Sequence, residues 1–174
     1  CLNHKTYDFA NLFAETVMPH LAQGQQVNVL IVDDRETNRD ILTRLLRAAG
    51  FNTEEAVNGR DAVDKINNNN YQLVLMDIRM PEMDGIEATK LIRQDDANKT
   101  LVIIAVTASV LPEFNKQIIA AGMNEMISKP FKLGEVFRKI EQQLNLQLVR
   151  GSEQQLIEPE YIAAENNRHI NVDK

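Results

Sequence analysis

Three short apolar runs, Val27–Val32, Leu73–Met76 and Leu101–Val106, constrain this chain more than any other feature of it. None of them alternates with polar residues. A strand with one wet face alternates, whereas a strand buried on both faces does not. The runs therefore read as parallel strands at the centre of a sheet covered on both sides. Weaker strand signals stand at Asn52–Ala56 and Asn124–Ser128. Between the strands the apolar period becomes helical. Ile41, Leu42, Leu45, Leu46 and Ala49 share one face, and Leu133, Val136, Phe137, Ile140 and Leu144 repeat that spacing. Gly59, Gly85 and Gly122 punctuate the alternation, and Pro112 suits the first turn of a helix. Strand–helix alternation repeated five times predicts an α/β fold, an open doubly wound parallel sheet with right-handed crossovers and helices on both faces.

The alternation occupies residues 27–149, which read as one domain. Residues 1–26 carry a candidate amphipathic helix (Leu12, Phe13, Val17, Met18, Leu21) and then a polar linker ending Gln23-Gly24-Gln25-Gln26. Residues 150–174 form a weakly patterned polar tail. Asn67–Asn70 reads as a solvated loop ahead of a strand. The chain begins at Cys1 rather than Met, which suggests a piece of something longer. Cys1 is also the single cysteine, so a disulfide framework is excluded and a reducing, cytoplasmic setting fits. A formal net charge of −6 gives no sequence-independent pull toward phosphate backbones, so direct nucleic-acid binding is not expected. No apolar run approaches the ~20 residues that span a bilayer, so no membrane contact is expected of this stretch.

In open α/β sheets the reactive cleft lies beyond the carboxyl ends of the strands. The first predicted strand ends in Asp33-Asp34, the third in Asp77, the fourth in Thr107 and the fifth in Lys129-Pro130. Three carboxylates, a hydroxyl and an ammonium thus converge on one edge. Taken singly, each is a common turn, cap or surface residue. Together they are chemically complementary. Clustered carboxylates repel unless a cation sits among them, and oxygen ligands beside a phosphoryl site suit Mg²⁺. One carboxylate can then attack phosphorus while Lys129, Thr107 and the metal neutralise the transferring oxygens.

Val32-Asp33-Asp34, Met76-Asp77-Ile78-Arg79-Met80-Pro81-Glu82-Met83-Asp84-Gly85, Val106-Thr107-Ala108 and Ser128-Lys129-Pro130-Phe131 resemble the signature blocks of receiver domains of two-component signalling, in order and spacing. The stretches Asp33–Arg39 and Lys129-Pro130-Phe131 look most like receivers of hybrid sensor histidine kinases, and Ile140–Arg150 resembles the segment that follows such receivers. The resemblance implies a flavodoxin-like sheet of order 2-1-3-4-5. It implies Asp77 as phosphoacceptor, and Mg²⁺ held by Asp34, Asp77 and the backbone carbonyl of Arg79, with Asp33 acting through water. It implies that Thr107 contacts the phosphoryl group, that Lys129 pairs with it, and that the Lys129-Pro130 bond is cis. The donor would be a histidine kinase or a histidine phosphotransfer domain. A switch and interaction face would include Thr107, Ala108, Met126, Pro130 and Phe131, with homodimerisation through the fourth helix, fifth strand and fifth helix. The parent chain would be a hybrid histidine kinase, open to membrane anchorage, or else a free-standing response regulator.

One departure stands out. Receivers usually place an aromatic residue three positions before the lysine, and here that position is Met126, which lacks a ring and a hydroxyl. His4, His20 and His169 sit in the flanks without the context of a phosphodonor histidine, and no Gly-rich ATP loop is present. The donor must therefore come from outside, and the only self-catalysis expected is phosphorylation and dephosphorylation of the module itself. Arg79 and Ser109 border the expected line of water attack on an aspartyl-phosphate, so both are expected to tune its lifetime. Two competing readings are an interaction module indifferent to phosphorylation and a Mg²⁺ phosphohydrolase. The first is disfavoured because the acidic pair, Asp77 and Lys129 are all kept. The second is disfavoured because such enzymes usually need an Asp where Arg79 stands.

Overall fold

The computed structural model describes residues 18–108 and 112–150. Five strands form one parallel sheet: β1 (Asn28–Val32), β2 (Asn52–Ala56), β3 (Leu73–Asp77), β4 (Val102–Thr107) and β5 (Glu125–Ser128), in the order β2-β1-β3-β4-β5. Five helices alternate with them: α1 (Glu36–Ala48), α2 (Gly59–Asn68), α3 (Gly85–Ile92), α4 (Pro112–Ala120) and α5 (Leu133–Leu144). The register is in phase across the centre, with Val29 opposite Leu73 and Leu73 opposite Val102. This is the doubly wound parallel sheet that the unalternating runs imply, in the flavodoxin-like order that the resemblance implies.

Each central strand feeds two cores. Along β1, Val29 and Ile31 face one side while Leu30 and Val32 face the other; β3 and β4 divide in the same way. The first core takes the apolar stripes of α1 and α5, including Leu42, Leu46, Phe137 and Ile140. The second takes Ala62, Val63 and Ile66 of α2, Ala88 and Ile92 of α3, and Ile118 of α4. Both faces of β1, β3 and β4 are buried, so between Asn28 at the start of β1 and the polar ends Asp77 and Thr107 every position is apolar and the period of two vanishes from the sequence. The edge strand β2, with residues Asn-Thr-Glu-Glu-Ala, keeps polar side chains because one side of it meets water.

Two local readings need correction. Asn67 and Asn68 belong to the last turn of α2 rather than to a loop, and Asn69 follows as its C-cap. The hydrogen bond from the Asn68 side-chain amide to the Asp64 carbonyl lies on the helix surface, where an asparagine side chain costs the helix little. Met18 and Leu21 are not helical. Pro19 lies between them, removes an N–H and biases Met18 away from helical backbone. Leu21 instead joins the first core and donates its N–H to the Ala49 carbonyl at 2.8 Å. His20 pairs in antiparallel fashion with Val149, through N–H···O contacts of 3.0 and 2.8 Å. Leu12, Phe13 and Val17 of the suggested amphipathic stripe lie outside the described residues, as do His4 and His169 and all of the C-terminal tail after Arg150.

Gly85 opens α3 directly beneath β3. A Cβ there would lie 2.3 Å from the Asp77 carbonyl oxygen and 2.9 Å from Cγ of Met76, so only glycine permits this approach. Gly85→Ala is expected to destabilise the domain by about 1–3 kcal/mol through overpacking against backbone. Urea denaturation of the variant against the natural chain checks this; an equal midpoint would mean that the helix shifts without cost.

Candidate functional site at the carboxyl edge of the sheet

Five polar or charged residues are buried among the described residues: Asp33, Thr43, Asp77, Thr89 and Thr107. Three of these, Asp33, Asp77 and Thr107, stand at the carboxyl ends of β1, β3 and β4. Burying a charge is costly unless it is paired and hydrogen-bonded, so their coincidence at one edge asks what compensates them. Asp33 is 1% exposed and Asp77 8%.

The compensation comes chiefly from β5. Lys129, the residue after that strand, donates its ammonium to Asp33 Oδ2 at 2.7 Å and to Asp77 Oδ1 at 3.1 Å. Its backbone N–H donates to the Thr107 carbonyl at 2.7 Å, which ties the ends of β4 and β5 together. The Lys129-Pro130 bond is cis, as the resemblance implies. Asp34 is exposed, and carboxylate oxygens of Asp33, Asp34 and Asp77 lie within 4.8 Å of one another. An all-oxygen set with one ligand open to water suits a hard divalent cation that keeps part of its hydration shell. On that ground the residues present fit Mg²⁺.

Asp77 responds to these surroundings. Burial raises its carboxyl above the ordinary carboxylate range; the Lys129 ammonium opposes that rise, and the neighbouring Asp33 charge reinforces it. A buried carboxylate that holds its proton more tightly than usual, and that faces a single cation, is poised to accept a positive or electrophilic group.

The other residues singled out by sequence are placed as follows. Arg79, two residues past β3, is exposed. Ala108 and Pro130 are exposed at the same edge. Met126 is partly buried and packs into the core between the sheet and α2–α4, whereas Phe131 packs into the opposite core beside α1 and α5. The sheet separates the two, so Phe131 does not stand in for the missing aromatic. Ser109 lies outside the described residues. Sequence reasoning gave no role to Asn38 and Arg39, which both reach Asp33. The Asn38 amide spans both carboxylate oxygens at 3.0 and 2.9 Å, and Arg39 donates to the Asp33 carbonyl at 2.8 Å. Their position in the first turn after the acidic strand end was the signal that could have found them.

A family model for the response regulator receiver domain matches residues 29–141. The chain therefore belongs to the receiver domain family of two-component signalling. It is 37% identical over 119 residues to hybrid signal transduction histidine kinase G of Dictyostelium discoideum, covering 67% of this chain and 4% of that protein. It is 34% identical over 117 residues to the polar-differentiation response regulator DivK of Brucella anthropi, covering 67% of this chain and 95% of the relative. Among solved structures, the receiver domain of a sensor histidine kinase from Pseudomonas aeruginosa PAO1 matches with TM-score 0.65 and 31% identity, covering 70% of this chain and 99% of that one. That structure has a magnesium ion coordinated in its active-site cleft. The chain spans only 4%, 7% and 9% of three hybrid-kinase relatives, the Dictyostelium kinases G and L and the yeast osmosensor SLN1.

The raised Asp77 carboxyl carries a stability consequence. With a folded-state value above that of the unfolded chain, the fold binds the extra proton and loses stability as pH rises through that window. The loss is complete above the folded value and absent below the unfolded one. In metal-free buffer Asp77→Asn is therefore expected to melt higher than the natural chain near neutral pH, with the gap closing toward about pH 4. Thermal melts across that range with a chelator present test the sign; a variant that melts lower at neutral pH would contradict it.

Proposed function

We propose that the domain accepts a phosphoryl group from a phosphohistidine onto Asp77. The observation that carries this reading is the arrangement of Asp77 itself: a buried strand-end carboxylate, 3.1 Å from the Lys129 ammonium and clustered with Asp33 and Asp34. An oxygen of Asp77 attacks phosphorus, the P–N bond to the donor imidazole breaks, and its electron pair returns to the ring nitrogen. Lys129 holds the negative charge of the transferring oxygens, and Thr107 binds one of them. Asp34, Asp77 and the Arg79 carbonyl would hold Mg²⁺, with Asp33 acting through water; the ion supplies further neutralisation of the same oxygens. The donor is a histidine kinase or a histidine phosphotransfer domain, and the parent chain is a hybrid sensor histidine kinase, supported by the likeness to several such kinases. The domain occupies residues 27–149, and its setting is cytoplasmic; no helix among the described residues is long and apolar enough to cross a membrane.

Output runs through the face of α4, β5 and α5, where Thr107, Ala108, Met126, Pro130 and Phe131 start or line the segments that phosphoryl contacts would pull. A homodimer would use the same face; Ile119 of α4 is 59% exposed. Two states close in energy need only a few kcal/mol of differential contact to be rebalanced.

With acetyl phosphate and Mg²⁺, intact-mass measurement is expected to show one added phosphoryl group on the natural chain and none on Asp77→Asn. Equal labelling of both would place the acceptor elsewhere. Persistence of the group is a separate matter. The exposed guanidinium of Arg79 is long enough to cover the phosphoryl oxygens and, always protonated, cannot activate water. Ser109, two residues after Thr107 in sequence, is proposed to tune the same step. Arg79→Asn, which leaves room for an oriented water, is expected to lose the phosphoryl group faster after donor removal. Equal decay rates would assign Arg79 only its backbone carbonyl.

A further inference from the structure

Asp33 is held from more sides than its place beside a metal site requires. Oδ1 accepts the Arg35 backbone N–H at 2.9 Å and the Asn38 amide at 3.0 Å. Oδ2 accepts the same amide at 2.9 Å and the Lys129 ammonium at 2.7 Å. Behind the carboxylate, Arg39 donates to the Asp33 carbonyl at 2.8 Å and is itself fixed by Glu55 at 3.0 Å. Among these donors to the carboxylate only Lys129 serves a second one, Asp77. It is also the only one that arrives from across the sheet; Arg35 and Asn38 belong to the N-terminal end of α1 and move with it.

That difference matters once Asp77 is modified. A phosphoryl group carries more charge than the carboxylate it replaces and offers three strong acceptor oxygens, so it competes with Asp33 for the ammonium. Asp33 then keeps its aim only through donors that do not leave. We infer that Asn38 is a positioning residue of this site: its amide bridges both Asp33 oxygens and holds that carboxylate oriented toward the metal position whichever partner Lys129 takes. The inference rests on reading the acidic cluster as a metal and phosphoryl site. The residue type fits the task. A carboxylate accepts but cannot donate, so the amide must present its nitrogen to Asp33. A lysine or arginine there would neutralise Asp33 and weaken the cluster's pull on a cation. A serine is too short to span both oxygens.

The test is a titration of the full chain with Mg²⁺ alone, followed by NMR shifts of backbone amides near Asp33 and Asp34. Asn38→Ala is expected to weaken Mg²⁺ about tenfold, as loss of an outer-shell partner does at metal sites. In an Asp33→Asn background the same substitution is expected to change affinity by less than about twofold, because the group it positions is gone. Asn38→Leu keeps the volume without the donor and is expected to match Asn38→Ala, so the comparison survives any loosening of α1 in the smaller variant. Natural affinity in folded Asn38→Ala or Asn38→Leu overturns the inference. An equal loss with and without the Asp33 carboxylate also overturns it, because Asn38 would then act only through the helix. No phosphoryl donor enters this titration, so a wrong acceptor at Asp77 would show in the labelling experiment and not here.

Discussion

Two carboxylates, Asp33 and Asp77, lie almost out of reach of water with one ammonium between them, and much of the fold can be read as what makes that tolerable. Removing one partner from a buried pair typically costs about 3–5 kcal/mol, because the survivor is left uncompensated. Fully burying one large apolar side chain contributes about 1.5–3 kcal/mol. The edge is therefore tolerable only while Lys129 is delivered accurately to both carboxylates. Its delivery depends on β5 being in register with β4, where Thr107 opposes Ser128, and on the Lys129 N–H bond to the Thr107 carbonyl. The edge is thus assembled by strand register before any side chain acts.

The same register explains why the chemistry is gathered at one end. All five strands run parallel, so their carboxyl ends share an edge, and the β3–β4 and β1–β3 pairings bring Asp77 and the residues after Val32 level with one another. Gly85 lets α3 start against the Asp77 carbonyl, and the Gly85 N–H bonds to the Ile78 carbonyl at 3.0 Å. That bond closes the loop that leaves β3, and Asp77 sits at the end of a strand whose every residue is buried.

Much of this was legible in the amino-acid order. Val27–Val32, Leu73–Met76 and Leu101–Val106 lack alternation because both of their faces are covered, and their ends point to Asp33, Asp77 and Thr107. The stripes on α1 and α5 were equally plain. What escaped depends on packing between distant segments. Leu21 reads as part of the flank that precedes the domain, yet it is buried in the first core, as is Leu148 near the domain's far end. Helix termination at Asn67-Asn68 turns on local hydrogen bonds that an asparagine run does not specify. Asn38 and Arg39 stand in the first turn after the acidic strand end, a weak signal that does not by itself say which first-turn side chain will face back onto Asp33. The fate of Met126 and Phe131 needed the sheet itself, which puts them in different cores.

The two ends of the sheet are joined by one pair of helices. α1 begins with Asn38 and Arg39 on Asp33 and ends where the Ala49 carbonyl takes the Leu21 N–H. α5 begins just after Pro130 and ends where Glu141 accepts the Leu148 N–H and pairs with Arg150, which holds its carboxyl below the usual range. The His20–Val149 bridge then closes the entering and leaving segments against each other at the amino edge, far from the acids. Both flanks are therefore anchored on the two helices whose opposite ends adjoin the acidic edge. Continuity of this kind is not coupling, which requires an element with two arrangements that each site biases. Among the groups described, Lys129 is the one that joins the two buried carboxylates, and phosphorylation of Asp77, as proposed, would add a further claimant on it. Any signal that reaches the flanks along α1 or α5 would begin with the choice that one ammonium makes.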